Sequence, residues 1–212
     1  NLRKKGQKVA AKRADRDSSE GAVIAMVNDD QTKGVIISLN CETDFVAKNE
    51  SFVDLAKSFC KIALNCSSLE ELLNSTHESM TVSEKLIEQT GVIGEKLEIG
   101  AFESVSSEHV GFYIHAGNKI ATLAGLSNKF ENVSDVSKNV AMQVAAMNPI
   151  ALNEDSVSKE IIEKEIEIAK EQLRAEGKPE AMLDNIAKGK LKKFFKDNTL
   201  VKQAYILSLI HI

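Results

Sequence analysis

The chain has 212 residues, which is long enough for one large domain or for two small ones with buried cores. Its net charge of −4 gives no global attraction to nucleic acid, and its aromatic content of 5%, without any Trp, argues against a surface that stacks bases or sugars. An apolar content of 43% and a charged content of 27% are ordinary for a globular protein.

Neither a membrane span nor a metal site is indicated by the sequence. No apolar run approaches the roughly 20 residues that cross a bilayer, and the chain opens on polar and basic residues, unlike a signal peptide. The cysteines are Cys41, Cys60 and Cys66, an odd number without a C-x-x-C pair, and no His stands at metal-ligand spacing. We therefore predict a cytoplasmic protein that needs no metal or other cofactor.

The first residues form a basic arm, with no acidic residue before Asp15. Its basic residues are Arg3, Lys4, Lys5, Lys8, Lys12 and Arg13. Such an arm could bind RNA or an acidic partner, or it could be a solvated helix end. Residues 15–21 are polar and predict a linker.

A β-hairpin and a helix follow the linker. Strands are predicted at 22–27 and 35–39, because both runs are apolar and turn-forming residues separate them. A helix is predicted from Ser51 to Leu64, with apolar residues at helical spacing along one face. A short helix at 83–89 and an alternating strand at 95–99, which completes a three-stranded sheet, come next.

Residues 40–49, between the second strand and the helix, have the sequence Asn-Cys-Glu-Thr-Asp-Phe-Val-Ala-Lys-Asn. Loops at such connections expose their backbone and often carry functional side chains. Phe45 stands beside Asp44 at the middle of this polar loop. An aromatic ring in such a place is typical of a partner-binding residue. The alternative is that Phe45 folds back as a lid on its own helix.

The same order of elements occurs a second time. Strands are predicted at 110–115 and 119–124 around a tight turn, and a helix is predicted at 136–147. This order of hairpin, loop and helix indicates a duplicated subdomain. The second loop, 125–132, has no Asp-Phe pair, so the first loop carries something that folding does not require.

Two charged helices are predicted after Asn153. Ser158 suits an N-cap, and Gly177 suits the left-handed position that ends a helix. Apolar residues recur by fours and threes in the first helix, at Ile162, Ile166, Ala169 and Leu173. The inward residues of the second helix are Leu183, Ile186, Ala187, Leu191 and Phe194. This pattern predicts an antiparallel coiled-coil hairpin that projects from the body, with a pair packed flat on the sheets as the alternative.

Reactive clusters and nucleotide-binding motifs are absent from the sequence. There is no phosphate-binding Gly-rich loop and no nucleophile elbow. His115 is placed at the tip of the second hairpin, as a partner contact, a turn residue or a general base. No nucleophile accompanies it, so the sequence predicts a binding protein and not an enzyme.

Five stretches together resemble the elongation factor Ts family. They are Thr43–Asn49, Tyr113–Ile120, Asn139–Ala146, Gly177–Pro179 and Gly189–Phe194. Each stretch is weak alone, but the set stands in the family's order.

The resemblance implies an α+β fold of two duplicated subdomains, each an antiparallel three-stranded sheet with helices, plus a protruding antiparallel coiled coil. The implied domains are 1–20, the tail of an N-terminal helical module with a linker; 21–108, the first core subdomain; 109–156 with 196–212, the second; and 157–195, the coiled coil. The match falters at Leu207–Ile212 and at Gln143, where the family often has His.

The resemblance also implies guanine-nucleotide exchange on elongation factor Tu in the cytoplasm, with no direct nucleotide, membrane or DNA binding. The implied residues for displacing Mg²⁺ from the partner are Thr43, Asp44, Phe45 and Val46. Further implied partner contacts are His115, Asn40 and Cys41. An RNA- or ribosome-associated helper that binds through the basic arm and coiled coil is the alternative function.

Overall fold

The computed structural model describes the backbone of residues 2–209 and the side chains of 6–208. Residues 210–212, the end of the unmatched tail, lie outside this range, as do the side chains of Arg3, Lys4 and Lys5. The chain divides into two compact units, Asn1–Ala145 and Ala146–Ile212.

The first unit is built on a three-stranded antiparallel sheet. Helix α1 (Leu2–Arg13) precedes strands β1 (Glu20–Val27) and β2 (Lys33–Cys41). The turn between the strands forms because the Asn28 side chain accepts hydrogen bonds from the Thr32 and Lys33 amides, at 2.9 and 2.8 Å. Strand β5 (Glu98–Ser106) pairs with β2 and completes the predicted three-stranded sheet, with the strand order β1-β2-β5. The predicted bounds of this strand, 95–99, are wrong, because it begins at Glu98 and continues to Ser106.

Helices and a small hairpin fill the chain between β2 and β5. The elements are α2 (Asp44–Ala47), α3 (Glu50–Ala63), α4 (Leu69–Asn74), β3 (Thr76–His77), β4 (Met80–Thr81) and α5 (Val82–Ile93). Helix α3 lies within a residue of its predicted bounds and packs its apolar face on the sheet. The predicted helix at 83–89 is confirmed and extends to Ile93. A capping box of Thr81 and Glu84 stabilises its start.

One core joins α3 to the sheet. Its fully buried side chains include Phe52 and Phe59 from α3, and Ile24, Ile37 and Leu39 from the strands. Cys60 is fully buried among them. The alternation of buried and half-buried residues along β2 shows that only one face of this strand meets the core.

The duplicated order of elements is confirmed. Strands β6 (His109–Ile114) and β7 (Ala121–Leu126) form a hairpin, and helix α6 (Val133–Met147) follows. The strand count differs from the prediction: β6 and β7 make a two-stranded sheet within the described residues. Tyr205 precedes helix α9 (Ile206–Leu209), and the Ser208 amide donates to the Tyr205 carbonyl at 3.1 Å.

The second unit contains an antiparallel helix pair. A 3₁₀ turn (Glu154–Ser156) leads to α7 (Lys159–Ala175) and α8 (Glu180–Asn198). Ser158 caps α7, and Gly177 takes a left-handed φ of 75°, both as predicted. Buried seam residues are Ala169, Leu173, Leu183, Ala187 and Phe195, so Phe195 rather than Phe194 is the more deeply buried ring.

Ion pairs join the facing sides of α7 and α8. Lys170 pairs with Asp184 at 3.0 Å, and Arg174 pairs with Glu180 at 2.8 Å. The two pairs follow the antiparallel direction, since a step back along α7 matches a step forward along α8. The supercoil, the projection and the predicted domain boundaries stay predictions.

The α+β class is confirmed by this mixture of helices and small antiparallel sheets. Within residues 2–209, no helix combines the length and the apolar character that crossing a bilayer would require.

Candidate partner-binding site

The predicted binding residues lie on a single helical turn between β2 and α3. This turn, α2, is capped at its start by Thr43, whose hydroxyl accepts from the Val46 amide at 3.5 Å. Asn49 then caps α3 by accepting from the Ser51 amide at 3.0 Å. Two caps in close succession break the chain into a short turn and a new helix, which brings Asp44 and Phe45 to the outside of the bend.

Phe45 is presented outward. Its side chain is 83% exposed, the largest value among the large apolar residues that the structure describes. Val46 is half-buried against the core, and Ala47 is buried. The ring therefore stands on a base of packed residues, and the alternative of a lid folded onto its own helix is wrong.

Asp44 is charged and open to solvent beside the ring. Lys48 donates to its carboxylate at 2.6 Å, one helical turn away. This hydrogen bond holds the pKa of Asp44 below its ordinary value, and the same contact raises the pKa of Lys48. The carboxylate is consequently ionised at neutral pH and belongs to an exposed ion pair.

Glu95 holds the entrance of the turn from a distant part of the chain. One of its carboxylate oxygens accepts from the backbone amides of Glu42 and Thr43, both at 3.0 Å. The other oxygen accepts from the Thr43 hydroxyl at 2.6 Å. Both carboxylate oxygens are therefore used on two adjacent residues of the loop.

Glu42 binds in turn to Lys96, the residue that follows Glu95. Its carboxylate accepts from the Lys96 amide at 2.7 Å and from the Arg13 guanidinium at 2.7 and 2.8 Å. Desolvation by burial raises the pKa of Glu42, but these two donors outweigh it and leave the pKa below its ordinary 4.5. We name this set of contacts among Arg13, Glu42, Thr43, Glu95 and Lys96 the carboxylate clamp.

The clamp makes the stability of the chain depend on pH. A group whose pKa is lower in the folded state stabilises the fold above its unfolded pKa, and the contribution disappears as pH falls through the folded pKa. We expect Glu42→Gln to lower the free energy of unfolding by about 1–2 kcal/mol at pH 7, because the hydrogen bonds lose their charged acceptor. The loss should shrink progressively below pH 4.5.

Urea denaturation of the wild type and of Glu42→Gln, from pH 7 down to pH 3, measures the difference in their free energies of unfolding. Glu103→Gln is the matched control, since Glu103 is an exposed residue of β5. A Glu42→Gln penalty that stays constant with pH would contradict the proposed cause.

Asn40 and Cys41 lie behind the turn. Asn40 accepts a hydrogen bond from Ser38, and its side chain covers Gly100 so closely that a Cβ there would collide with it. Cys41 is fully buried, and its thiol donates to the Thr43 carbonyl at 3.2 Å. Burial, followed by the negative charge of Glu95, raises the pKa of Cys41 to about 11. Both side chains support the turn in this structure, and their direct contact with a partner stays a prediction.

His115 lies at the same end of the sheet as the turn. The tip of its hairpin is bound to β1: the Val23 amide donates to the Asn118 carbonyl at 2.8 Å, and Lys119 pairs with Glu20. Glu20 is in turn the register partner of Cys41, the residue at the end of β2. The fold therefore brings together the two loops that sequence analysis selected separately.

The His115 ring is exposed and lies against a neighbouring aromatic residue. Its Nδ1 is 3.0 Å from the Tyr113 hydroxyl, and the ring centroids are 6.0 Å apart. Nearby Ile120 is 45% exposed. This loop thus adds polar and apolar contact groups to the surface that carries Phe45.

Sequence reasoning missed Glu95, Glu42 and Lys119. Each is a charged residue of the kind that usually faces solvent, and nothing in its spacing marks it. The one signal that could have marked this region is Gly94, a residue type that often follows the end of a helix and here ends α5 just before Glu95. Among the described residues, no group of three or more His, Cys, Asp or Glu side chains could hold a metal ion.

Known proteins of one family match this chain along nearly its whole length. The family model described as elongation factor TS matches residues 42–209. A protein named elongation factor Ts from Christiangramia forsetii is 67% identical over 205 residues, covering 97% of this chain and 75% of that relative. Relatives of the same name from Flavobacterium psychrophilum and Amoebophilus asiaticus are 64% and 49% identical, with the same two shares covered.

Proposed function

The chain belongs to the elongation factor Ts family, and on that premise we propose that it is a non-enzymatic exchange factor that promotes GDP release from elongation factor Tu. Membership of this family makes it a translation elongation factor. The exchange reaction and its partner are the finer part, and they are the subject of this proposal.

Nucleotide exchange requires a factor that binds the empty and the occupied GTPase with different affinities, and it involves no covalent step. A GTPase holds its nucleotide through backbone amides, a Lys and a bound Mg²⁺. A factor that binds the empty GTPase more tightly than the occupied one weakens nucleotide binding by the same ratio, as linkage requires. Each 1.4 kcal/mol of this preference changes the nucleotide affinity about tenfold. The factor therefore needs no catalytic residue, metal or cofactor of its own.

The observation that carries the proposal is the exposure of Phe45 on a turn that is held in place. A ring that is 83% exposed gains binding energy when a partner covers it. Because Glu95 holds Glu42 and Thr43 at the start of the turn, the turn loses little conformational freedom when a partner binds. We propose that Phe45 enters between helices of the GTPase domain and displaces the elements that hold Mg²⁺.

The neighbours of Phe45 have different parts in this proposal. Asp44 presents a negative charge beside the ring, which can compete for groups near the metal. Thr43 has its hydroxyl occupied by Glu95 and the Val46 amide, so it acts by shaping the turn. Val46 packs beneath the turn and supports the ring. His115 contacts the same GTPase from the neighbouring loop.

Stopped-flow release of a fluorescent GDP analogue from elongation factor Tu tests the proposal. The release rate should rise with the concentration of this chain and then saturate, and excess unlabelled GDP alone supplies the baseline. A baseline rate at every concentration, with the two proteins shown to bind by sedimentation, would refute exchange activity.

The alternative of an RNA-associated helper draws less support from the contacts. Arg13, one of the charges of the basic arm, is engaged by Glu42 within the chain. Lys8 and Lys12 are exposed, but no aromatic residue lies between them to stack a base. An RNA titration at low salt that detects no binding would exclude this function.

A further inference from the structure

We infer that Glu95 is a positioning residue for exchange: it keeps the turn that bears Phe45 in the conformation that the partner binds. The inference rests on the proposed function for its consequence, but the contacts that carry it are within the chain. The hydrogen bonds of Glu95 to this segment come from Glu42 and Thr43, so Glu95 would act on Phe45 through these two residues.

The geometry of Glu95 suits this role better than a role in the core. It follows Gly94, the residue that ends α5, and it is half-buried. It lies between helix α5 and strand β5 and belongs to neither. Its two carboxylate oxygens accept three hydrogen bonds from Glu42 and Thr43, which precede Glu95 by 53 and 52 positions in the sequence.

These bonds act on the start of α2. The Thr43 hydroxyl donates to Glu95 and also accepts from the Val46 amide as the N-cap. The rotamer that caps the helix is therefore the rotamer that Glu95 selects. Without Glu95, the two amides and the hydroxyl lose their acceptor, and the turn can sample other conformations.

The expected consequence is a loss of affinity without a loss of maximal rate. If only a fraction of free molecules has the competent turn, the apparent dissociation constant rises by the inverse of that fraction. Once the partner is bound, Phe45 occupies the same place as before. Glu95→Ala should therefore raise the concentration that gives half-maximal GDP release about tenfold and leave the rate at saturation close to that of the wild type.

Glu95→Gln separates hydrogen bonding from charge. The carboxamide oxygen can accept from the two amides, and its NH₂ group can donate to the Thr43 hydroxyl. Glu95→Gln should consequently behave almost like the wild type, within about threefold in half-maximal concentration. If the negative charge itself acted on the GTPase, Glu95→Gln would be as impaired as Glu95→Ala, and the inference would be overturned.

Amide hydrogen exchange provides a readout that needs no partner. In Glu95→Ala, the amides of Glu42 and Thr43 should exchange faster, while those of β1 and α3 keep their protection. Glu103→Ala, an exposed substitution on β5, should change neither the amide exchange nor the release kinetics. Faster exchange throughout the unit would mean that Glu95 is structural, and it would count against positioning.

Failure of the inference and failure of the proposed function are distinguishable. If the wild-type chain does not accelerate GDP release, the function is wrong, and amide exchange alone decides whether Glu95 holds the turn. If the wild type is active and Glu95→Ala has an unchanged half-maximal concentration, the inference is wrong. Should Glu95→Ala not fold, Glu95→Ser removes the same reach with a smaller change in polarity and is measured in its place.

Discussion

Replacing Phe45 by Ala is expected to slow GDP release from elongation factor Tu about thirtyfold or more, with little effect on the stability of the chain. Truncation of an aromatic hot-spot residue typically costs at least about 2 kcal/mol of binding energy, and each 1.4 kcal/mol is about tenfold in rate or affinity. Because Phe45 is 83% exposed, its ring contributes almost nothing to the core. The free energy of unfolding should change by less than about 0.5 kcal/mol.

Two measurements on the same preparation check this expectation. Stopped-flow release of a fluorescent GDP analogue gives the rate at saturating chain, and urea denaturation gives the stability. Phe130→Ala is the matched control, since Phe130 is also an exposed ring (49%) and lies outside the turn that bears Phe45. An unchanged release rate for Phe45→Ala would remove this ring from the mechanism.

Replacing Phe59 by Ala is expected to lower the stability of the chain strongly, with little effect on GDP release by the molecules that remain folded. Phe59 is fully buried in the core and packs edge-on against His77, with ring centroids 5.2 Å apart. Its truncation removes buried apolar surface and leaves a cavity, which together cost about 3–5 kcal/mol. Since domains of this size are stable by only about 5–15 kcal/mol, much of the fold's stability would be lost.

Urea denaturation and thermal melting of Phe59→Ala measure this loss, and Phe45→Ala makes the same chemical change at an exposed position. GDP release by the fraction that remains folded should resemble the wild type, since Phe59 lies in α3, outside the turn. A penalty below about 1 kcal/mol would mean that the core around α3 collapses to fill the space.

Local chemistry accounts for the elements that sequence reasoning placed correctly. Helix α3 followed from apolar residues at helical spacing, the start of α7 followed from Ser158, and its end followed from Gly177. These signals act between residues a few positions apart, so they are visible in one stretch of sequence. The same local signals placed Phe45 between β2 and α3 but predicted neither the helical turn α2 nor the direction of the ring.

Contacts between distant segments could not be predicted in that way. Glu95 binds Glu42 and Thr43 across more than 50 positions, and Arg13 reaches Glu42 across 29. Gly111 likewise leaves room for Ser137 of α6, because a Cβ at this position would collide with the serine side chain. A hydrogen bond or a close approach of this kind has no period along the chain.

The sequence by itself therefore determined the type and order of the elements, the family, and the loop that carries the candidate site. Only the tertiary structure decided that Phe45 faces outward, that His115 joins it at one end of the sheet, and that Glu95 holds the turn. The physical reason is that helices, strands and caps arise from neighbouring residues. The direction of a side chain and the partner of a carboxylate depend instead on which distant segments the hydrophobic core brings together.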